Sequence, residues 1–353
     1  MKLLLTGATG FVGRNILIQA LSDTKYDRVF VPVRSRKKIE MQLAAEGLDR
    51  LPEKLVIFEG DAGAWNLPEA AKSAEHVVHS AGVIFAETWE AYRQTNVDGT
   101  IELMKALAKP TRIVVLSSLS AAGPSSSDGT PHSEGGADRP VTFYGKSKLQ
   151  MEDVLKNQFA SMPWVCLRPP MIFGPRDHAT LPLFKMIRRK VHFKPGFADK
   201  NFSVLAVGDL VDAIFRVLNA PALPAHAPRY YYVANPEIIS DRDILRTAAK
   251  VVGASGIILP VPQLLLKGAS RVVSSIPTWR TTIPTLSVDR AKEIWPSRWL
   301  VSSRLLTEHF GWKASTPFEK AVRQTYEWYM RFGLIPGVNK HWQQTEKVVS
   351  PRS

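Results

Sequence analysis

Tyr144 and Lys148 stand four residues apart in "FYGKSKLQME" (143–152), with only small and polar residues between them. At i and i+4 on a helix, two side chains lie on one face. A phenol beside an ammonium on one face is a candidate acid–base pair. A free tyrosine titrates near ~10, too high for a base near neutral pH. An adjacent positive charge stabilises the phenolate and lowers that value. The plain alternative is a helix start that happens to hold both residues, because a lone Tyr-x-x-x-Lys arises often by chance. The elements that precede the pair decide between the two.

The chain opens "MKLLLTGATGFVG". Residues 2–6 read as a short buried strand, and "RNILIQAL" has helical periodicity. Between them Gly7, Gly10 and Gly13 form a G-x-x-G-x-x-G turn, directly after a strand and at the opening of a helix. That context marks a dinucleotide site rather than a chance run of glycines. Glycine permits the tight turn, the approach of backbone to a pyrophosphate, and close helix–strand packing. The amides around Phe11 and Val12 would face the phosphates with the positive end of the helix dipole behind them.

The second strand, "RVFVPV" (28–33), ends in "RSRKK" (34–38). A site for the non-phosphorylated dinucleotide usually has a carboxylate at this point. Here Arg34, Ser35 and Arg36 could hold a 2′-phosphate by charge-assisted hydrogen bonds, which predicts NADPH over NADH. The alternative is an exposed basic turn. Asp61, in "EGDAG" after the third strand, could accept from an adenine amino group or could be a turn carboxylate.

Further strands are read at 54–61, 76–82, 112–118 and 164–170, with a helix over 96–109. Nearly continuous apolar strands alternating with helices predict an α/β fold of Rossmann type. That is a doubly wound parallel sheet with its ligand at the carboxyl ends of the strands. The loop before Tyr144, "AAGPSSSDGTPHSEGGADRPVTF", is long enough to be functional or mobile. It could partly cover a substrate or be a solvated excursion. After residue 170 the alternation fades into a smaller, mostly C-terminal substrate-binding lobe. The expected division is 1–172 for the dinucleotide domain, with 203–234 returning to it. The lobe takes 173–202 and 235–335, and a polar tail takes 336–353.

Hydrophobic residues make up 45% of the 353 residues and charged residues 22%, so a folded core is expected rather than disorder. The one cysteine, Cys166, excludes an internal disulfide and fits a reducing, cytoplasmic setting. It reads as a buried strand residue. The opening apolar run is too short for a signal peptide, and no stretch approaches ~20 apolar residues, so no membrane-spanning segment is expected. The formal charge of +14 favours anionic ligands or peripheral contact with an anionic lipid surface. Nucleic-acid signatures are missing, so no nucleic acid is expected. No His/Cys/Asp cluster points to a metal.

"TGATGFVG", "HSAG", "TNVDGT", "VVLSSLSAAG", "YGKSK" and "LRPPMIFGPRD" occur in the order found in the extended short-chain dehydrogenase/reductase superfamily. The chain resembles its epimerase/dehydratase-type branch closely over the first half. A weaker echo continues through "VGDLVDAI" and "FGWKASTPFEKAVRQTYEWY". The resemblance implies that Tyr144 is the general acid/base and that Lys148 anchors the nicotinamide ribose, whose oxidised ring would help lower the tyrosine. It implies that Ser118 holds the reacting oxygen, with Ser117 the weaker choice. By itself Ser118 would read as a strand-end serine bonding its own backbone. The resemblance sets Thr9, Ala62, Ala81, Gly82, Asn96, Pro169 and Pro170 against the cofactor, although Asn96 alone would read as a helix N-cap. His79 reads as packed core. The resemblance also allows a homodimer through helices flanking the sheet.

The substrate is less marked. Family members that handle nucleotide sugars usually carry an arginine in a stretch like "NFSVLAVGDL", and Phe202 stands near that position here. Arg176 and the basic segment 185–190 could still serve an anionic substrate or could be solvated surface. The apolar second lobe leans towards a hydrophobic small molecule, as in members similar to dihydroflavonol reductases and hydroxysteroid dehydrogenases. Three expectations follow in order. The first is an NADPH-dependent ketone reductase or alcohol dehydrogenase. The second is a nucleotide-sugar epimerase or dehydratase, and the third a non-catalytic dinucleotide sensor.

Overall fold

The computed structural model describes residues 1–224, 227–275 and 289–335, so the expected tail lies outside the described residues. In chain order its first six strands are β1 (Lys2–Thr6), β2 (Arg28–Val33), β3 (Leu55–Glu59), β4 (His76–His79), β5 (Arg112–Leu116) and β6 (Trp164–Arg168). The helices between them are α1 (Phe11–Ser22), α2 (Arg36–Ala45), α3 (Glu69–Lys72), α4 (Trp89–Arg93), α5 (Gly99–Ala106) and α6 (Phe143–Gln158). Then come β7 (Met171–Phe173), α7 (Leu181–Ile187), β8 (Val191–Pro195), β9 (Asn201–Ala206), α8 (Val207–Asn219), β10 (Tyr230–Tyr232) and β11 (Ile238–Ser240). After them lie α9 (Asp241–Val252), β12 (Ile257–Val261), α10 (Gln263–Ser275), β13 (Arg298–Trp299), α11 (Arg304–Phe310) and α12 (Phe318–Arg331).

The large sheet is parallel throughout and runs β10-β6-β5-β4-β1-β2-β3. This is the doubly wound Rossmann order, and the strand order reverses between β1 and β4, where ligands bind in such sheets. Continuous apolar runs make sense there, because β4 and β5 are buried along their whole length. The seventh strand, β10, pairs with β6. The segment 203–234 divides. Helix α8 packs against α1 and β10 joins the large sheet, whereas β9 belongs to a second sheet with β7, β11 and β13.

The expected 96–109 helix opens as a wider turn over Gln94–Asp98 and becomes α-helical only at Gly99. The loop before α6 is neither cover nor free excursion. Its Ser125 and His132 amides donate to the Arg298 and Leu300 carbonyls, and Glu134 accepts from the Tyr232 amide. Further along, Asp138 pairs with Arg168 at 2.7 Å. The loop is therefore stitched to β13, β10 and β6, which satisfies the polar backbone of a Gly/Ser-rich segment.

Candidate active site

Tyr144 and Lys148 enter on the first turns of α6. Thr142 caps that helix by accepting from the Gly145 amide at 3.1 Å. A turn at 289–293 grips the same end. Asp289 accepts from the Phe143 amide at 2.9 Å, and Glu293 accepts from the Thr142 hydroxyl at 2.8 Å. Carboxylates at a helix N-terminus complement its dipole. Two turns further on, Glu152 lies on the same face and meets Arg168, which also holds Asp138 and lies 3.8 Å from the Tyr230 ring centroid. Tyr144, Lys148 and Glu152 thus repeat at i, i+4 and i+8, and the last fixes the rotation of the first two.

The pair faces a cavity of about 420 Å³ at the carboxyl ends of β1, β4, β5 and β6. Of the predicted residues, Gly7, Gly10, Phe11, Val12, Gly13, Gly82, Ser117, Ser118, Tyr144, Lys148, Pro169 and Pro170 line it. The others are not in its wall. Thr9 offers its carbonyl to Gln42, and Ala62 packs under Gly99. The Ala81 amide points at the Thr6 hydroxyl. Ser35 caps α2, Arg36 pairs with Glu40 at 2.8 Å, and Arg34 is exposed at the end of β2. Asp61 closes a turn by accepting from the Gly63 and Ala64 amides, the structural alternative named above. Asn96 is no N-cap. It is buried, accepts from the Val83 amide at 2.8 Å and donates to Ser147 at 2.9 Å, so it ties the β4 exit to α6. Ser117 is buried beside Ser118, which bonds the Ser120 amide and also hydrogen-bonds Tyr144.

The glycine turn suits a dinucleotide. Gly7 has φ +75°, and a Cβ there would meet the Ala81 amide nitrogen at 2.6 Å. A Cβ on Gly13 would meet the Gly7 carbonyl oxygen at 2.1 Å. Gly10 gives α1 no capping side chain, and its first turn holds no carboxylate. Its first amides therefore remain for an anionic group at the cavity edge.

One electrostatic expectation needs correction. Burial raises the Tyr144 phenol above its usual range, opposed by the Ser118 hydrogen bond and by the charge of Arg290. Arg290 is the cation whose charge opposes that rise, while Lys148 is engaged with the backbone. Its ammonium donates to the Leu116 carbonyl at 2.8 Å, and burial holds it down to about 8. Arg290 lies 5.0 Å from the Tyr144 ring centroid and lines the cavity with Glu293. Nothing local in "VDRAKEIW" marks this arginine, because 146 residues separate it from the tyrosine. The rest of the lining that sequence reasoning missed is mainly apolar, including Ile84, Met171, Ile172 and Trp299. Phe202 lines it too. Arg176 forms a bidentate pair with Glu46 and donates to Asn15, tying the β7–α7 loop to α1 and the end of α2. Cys166 is buried, as expected, and His79 sits in the core between the Thr6 and Thr100 hydroxyls.

The sequence pattern of the NAD dependent epimerase/dehydratase family matches residues 3–233, and the chain belongs to that family. It is thus an NAD(P)-dependent enzyme of the extended short-chain dehydrogenase/reductase type. Two curated relatives span nearly the whole chain. A ceramide reductase of Caulobacter vibrioides is 28% identical over 340 residues, covering 94% of this chain and 95% of that protein. A UDP-glucose 4-epimerase of Vibrio cholerae is 26% identical over 346 residues, covering 94% and 96%. Among solved structures, UDP-glucuronic acid 4-epimerase from Bacillus cereus, in complex with UDP-glucuronic acid and NAD, superposes with a TM-score of 0.74 at 18% identity. That match covers 95% of this chain and 100% of the other, and it establishes the likeness of fold.

Proposed function

We propose that the chain is an NADPH-dependent reductase, or in reverse a dehydrogenase, acting on a carbonyl or secondary alcohol of an apolar, lipid-like molecule. The observation that carries this reading is the cavity wall. Phe202, Met171, Ile84 and Trp299 line it, and Phe202 stands near the position where nucleotide-sugar members of the family usually carry an arginine. The relationship to a ceramide reductase over 94% of the chain supports an apolar substrate and a net reduction. The relationship to a UDP-glucose 4-epimerase supports the second reading, a nucleotide-sugar epimerase, with Arg290, ion-paired to Glu293 at 2.9 Å, as a cation on the cavity wall.

In this proposal the amides at the start of α1 bind the pyrophosphate, and Lys148 anchors the nicotinamide ribose. Arg34 binds the 2′-phosphate, since Arg36 is turned to Glu40. When bound, the nicotinamide supplies the hydride donor or acceptor. Ser118 holds the substrate oxygen and Tyr144 gives it a proton during reduction. Burial favours the protonated form that reduction needs, while the Ser118 hydrogen bond and the Arg290 charge offset the loss of acidity that burial brings.

The deciding experiment offers long-chain keto lipids and UDP-sugars in parallel, following NADPH absorbance and product isomers. Stoichiometric NADPH consumption with a keto lipid is expected. Interconversion of sugar isomers with no net consumption would overturn the proposal in favour of the epimerase.

A further inference from the structure

In the β8–β12 ribbon, β8 is inside out and β12 is apolar on both faces. Its two strands run parallel with Val191, Phe193 and Pro195 of β8 level with Ile257, Leu259 and Val261 of β12. Side chains alternate between faces along a strand, so all six apolar residues share one face. That face is the outer one, with Phe193 53% and Ile257 67% exposed and Leu259 exposed between them. The polar residues of β8 point inward. His192 is buried against the Ile187 and Arg189 carbonyls, and the Lys194 ammonium is buried against Asp241 at 3.0 Å. An ordinary surface ribbon would show the reverse pattern.

The apolar surface extends at both ends of the ribbon. Phe197, in the turn after β8, is exposed. Helix α10 begins two residues after β12 and opens "QLLL", with Leu264 80% and Leu265 64% exposed. Gly268 and Ala269, one turn on from these leucines, are exposed as well. Immediately before β8 the chain reads "KMIRRK", in which Lys185, Arg188, Arg189 and Lys190 are all exposed. None of these four cations has an ion pair recorded among the described residues. Exposed apolar residues of this size, rimmed by unneutralised cations, are the composition of a surface that inserts into the headgroup layer of an anionic bilayer.

We propose that the outer face of the β8–β12 ribbon, with Phe197 and the start of α10, docks the protein on anionic phospholipid membranes, the 185–190 cations meeting the headgroups. A second copy of the chain fits this face less well. A twofold dimer would bring two identical cationic clusters together in a molecule that already carries +14. The inference stands apart from the reaction proposed above, because the test reads binding and not turnover.

Co-sedimentation of the full chain with phosphatidylcholine vesicles, with and without phosphatidylglycerol, tests it. The protein is expected to pellet with the anionic vesicles and to be released by salt. Two variants separate the contributions. Arg188→Gln/Arg189→Gln/Lys190→Gln removes three headgroup contacts and is expected to weaken binding roughly 100-fold. Leu264→Glu/Leu265→Glu should abolish pelleting while leaving thermal stability and NADPH binding unchanged, which shows that the variant folds. A full chain that stays in the supernatant with anionic vesicles overturns the proposal. So do variants that pellet like the parent, or a sedimentation-velocity dimer that the leucine variant dissociates.

Discussion

Tyr144 is subject to opposed influences, and each has a residue-level test. Burial holds the phenol protonated, while Ser118 and Arg290 favour the phenolate. Tyr144→Phe is expected to keep NADPH binding and lose about 10²–10⁴-fold in kcat, the usual worth of one positioned acid. Unchanged turnover would mean that Tyr144 is not the proton donor. Arg290→Met removes a cation 5.0 Å from the ring, so the phenol should titrate higher still. In the oxidation direction, where the phenolate is the base, the rising limb of the pH–rate profile should move to higher pH. An unmoved limb would mean that Arg290 acts only as part of the wall. Arg34→Ala should weaken NADPH by roughly 10–100-fold, as expected for a lost charge-assisted hydrogen bond, and leave NADH nearly unaffected. Fluorescence titration of both dinucleotides reads this directly. Tyr144, Lys148, Ser118 and the glycine turn were legible because local spacing carries their geometry. Arg290, Glu293 and Trp299 were not, because their approach depends on folding the chain back from more than 140 residues away.

At the scale of elements, β4 carries a pH dependence into the middle of the sheet. His76 bonds the Tyr26 hydroxyl at 2.8 Å, and His79 bonds Thr6 at 2.7 Å and Thr100 at 2.9 Å. Burial lowers the first to about 4 and the second to about 3, from an ordinary 6.5. The unfolded chain therefore binds protons that the folded strand refuses. Stability is complete above 6.5 and falls as pH drops towards 4, by up to about 1.4 kcal/mol per pH unit for each histidine. A His79→Gln variant, whose amide does not titrate, should lose less over the same window in parallel urea melts. Identical slopes would show that His79 is not a source of the acid sensitivity. The order of strands and helices was readable because parallel strands buried on both faces are nearly pure apolar runs. The second sheet was not, since β7, β11 and β13 are only two or three residues long and are held by pairing with β9 rather than by their own pattern. The loop before α6 misled for a similar reason. Its composition is that of solvated chain, and its order comes from partners on β10, β13 and β6.

For the molecule as a whole, the question is whether the proposed dinucleotide domain and substrate lobe unfold together. One core runs across the expected boundary. Leu5, Val31 and Val114 of the large sheet belong to the same buried cluster as Leu210 and Phe215 of α8, Leu306 of α11 and Trp312. The Trp312 indole also donates to the Asp209 carbonyl at 3.1 Å, and the Asp209 carboxylate accepts from Ser315 and Thr316. The segment around 312–316 is thus bonded to the first turn of α8, and α8 packs on α1. The cavity likewise takes walls from both sheets, through Ser118 and Tyr144 on one side and Phe202 and Trp299 on the other. Lobes coupled in this way should melt in one calorimetric transition, although separate cores would allow two. NADPH at 100 times its dissociation constant should add about 2.7 kcal/mol to the whole and shift that single peak upward without splitting it. Because the chain carries +14, the shift at a fixed NADPH concentration should shrink as salt screens the attraction. Two resolved transitions, with only the earlier strands responding to NADPH, would mean that the buried cluster does not couple the halves and that substrate and cofactor sites move independently.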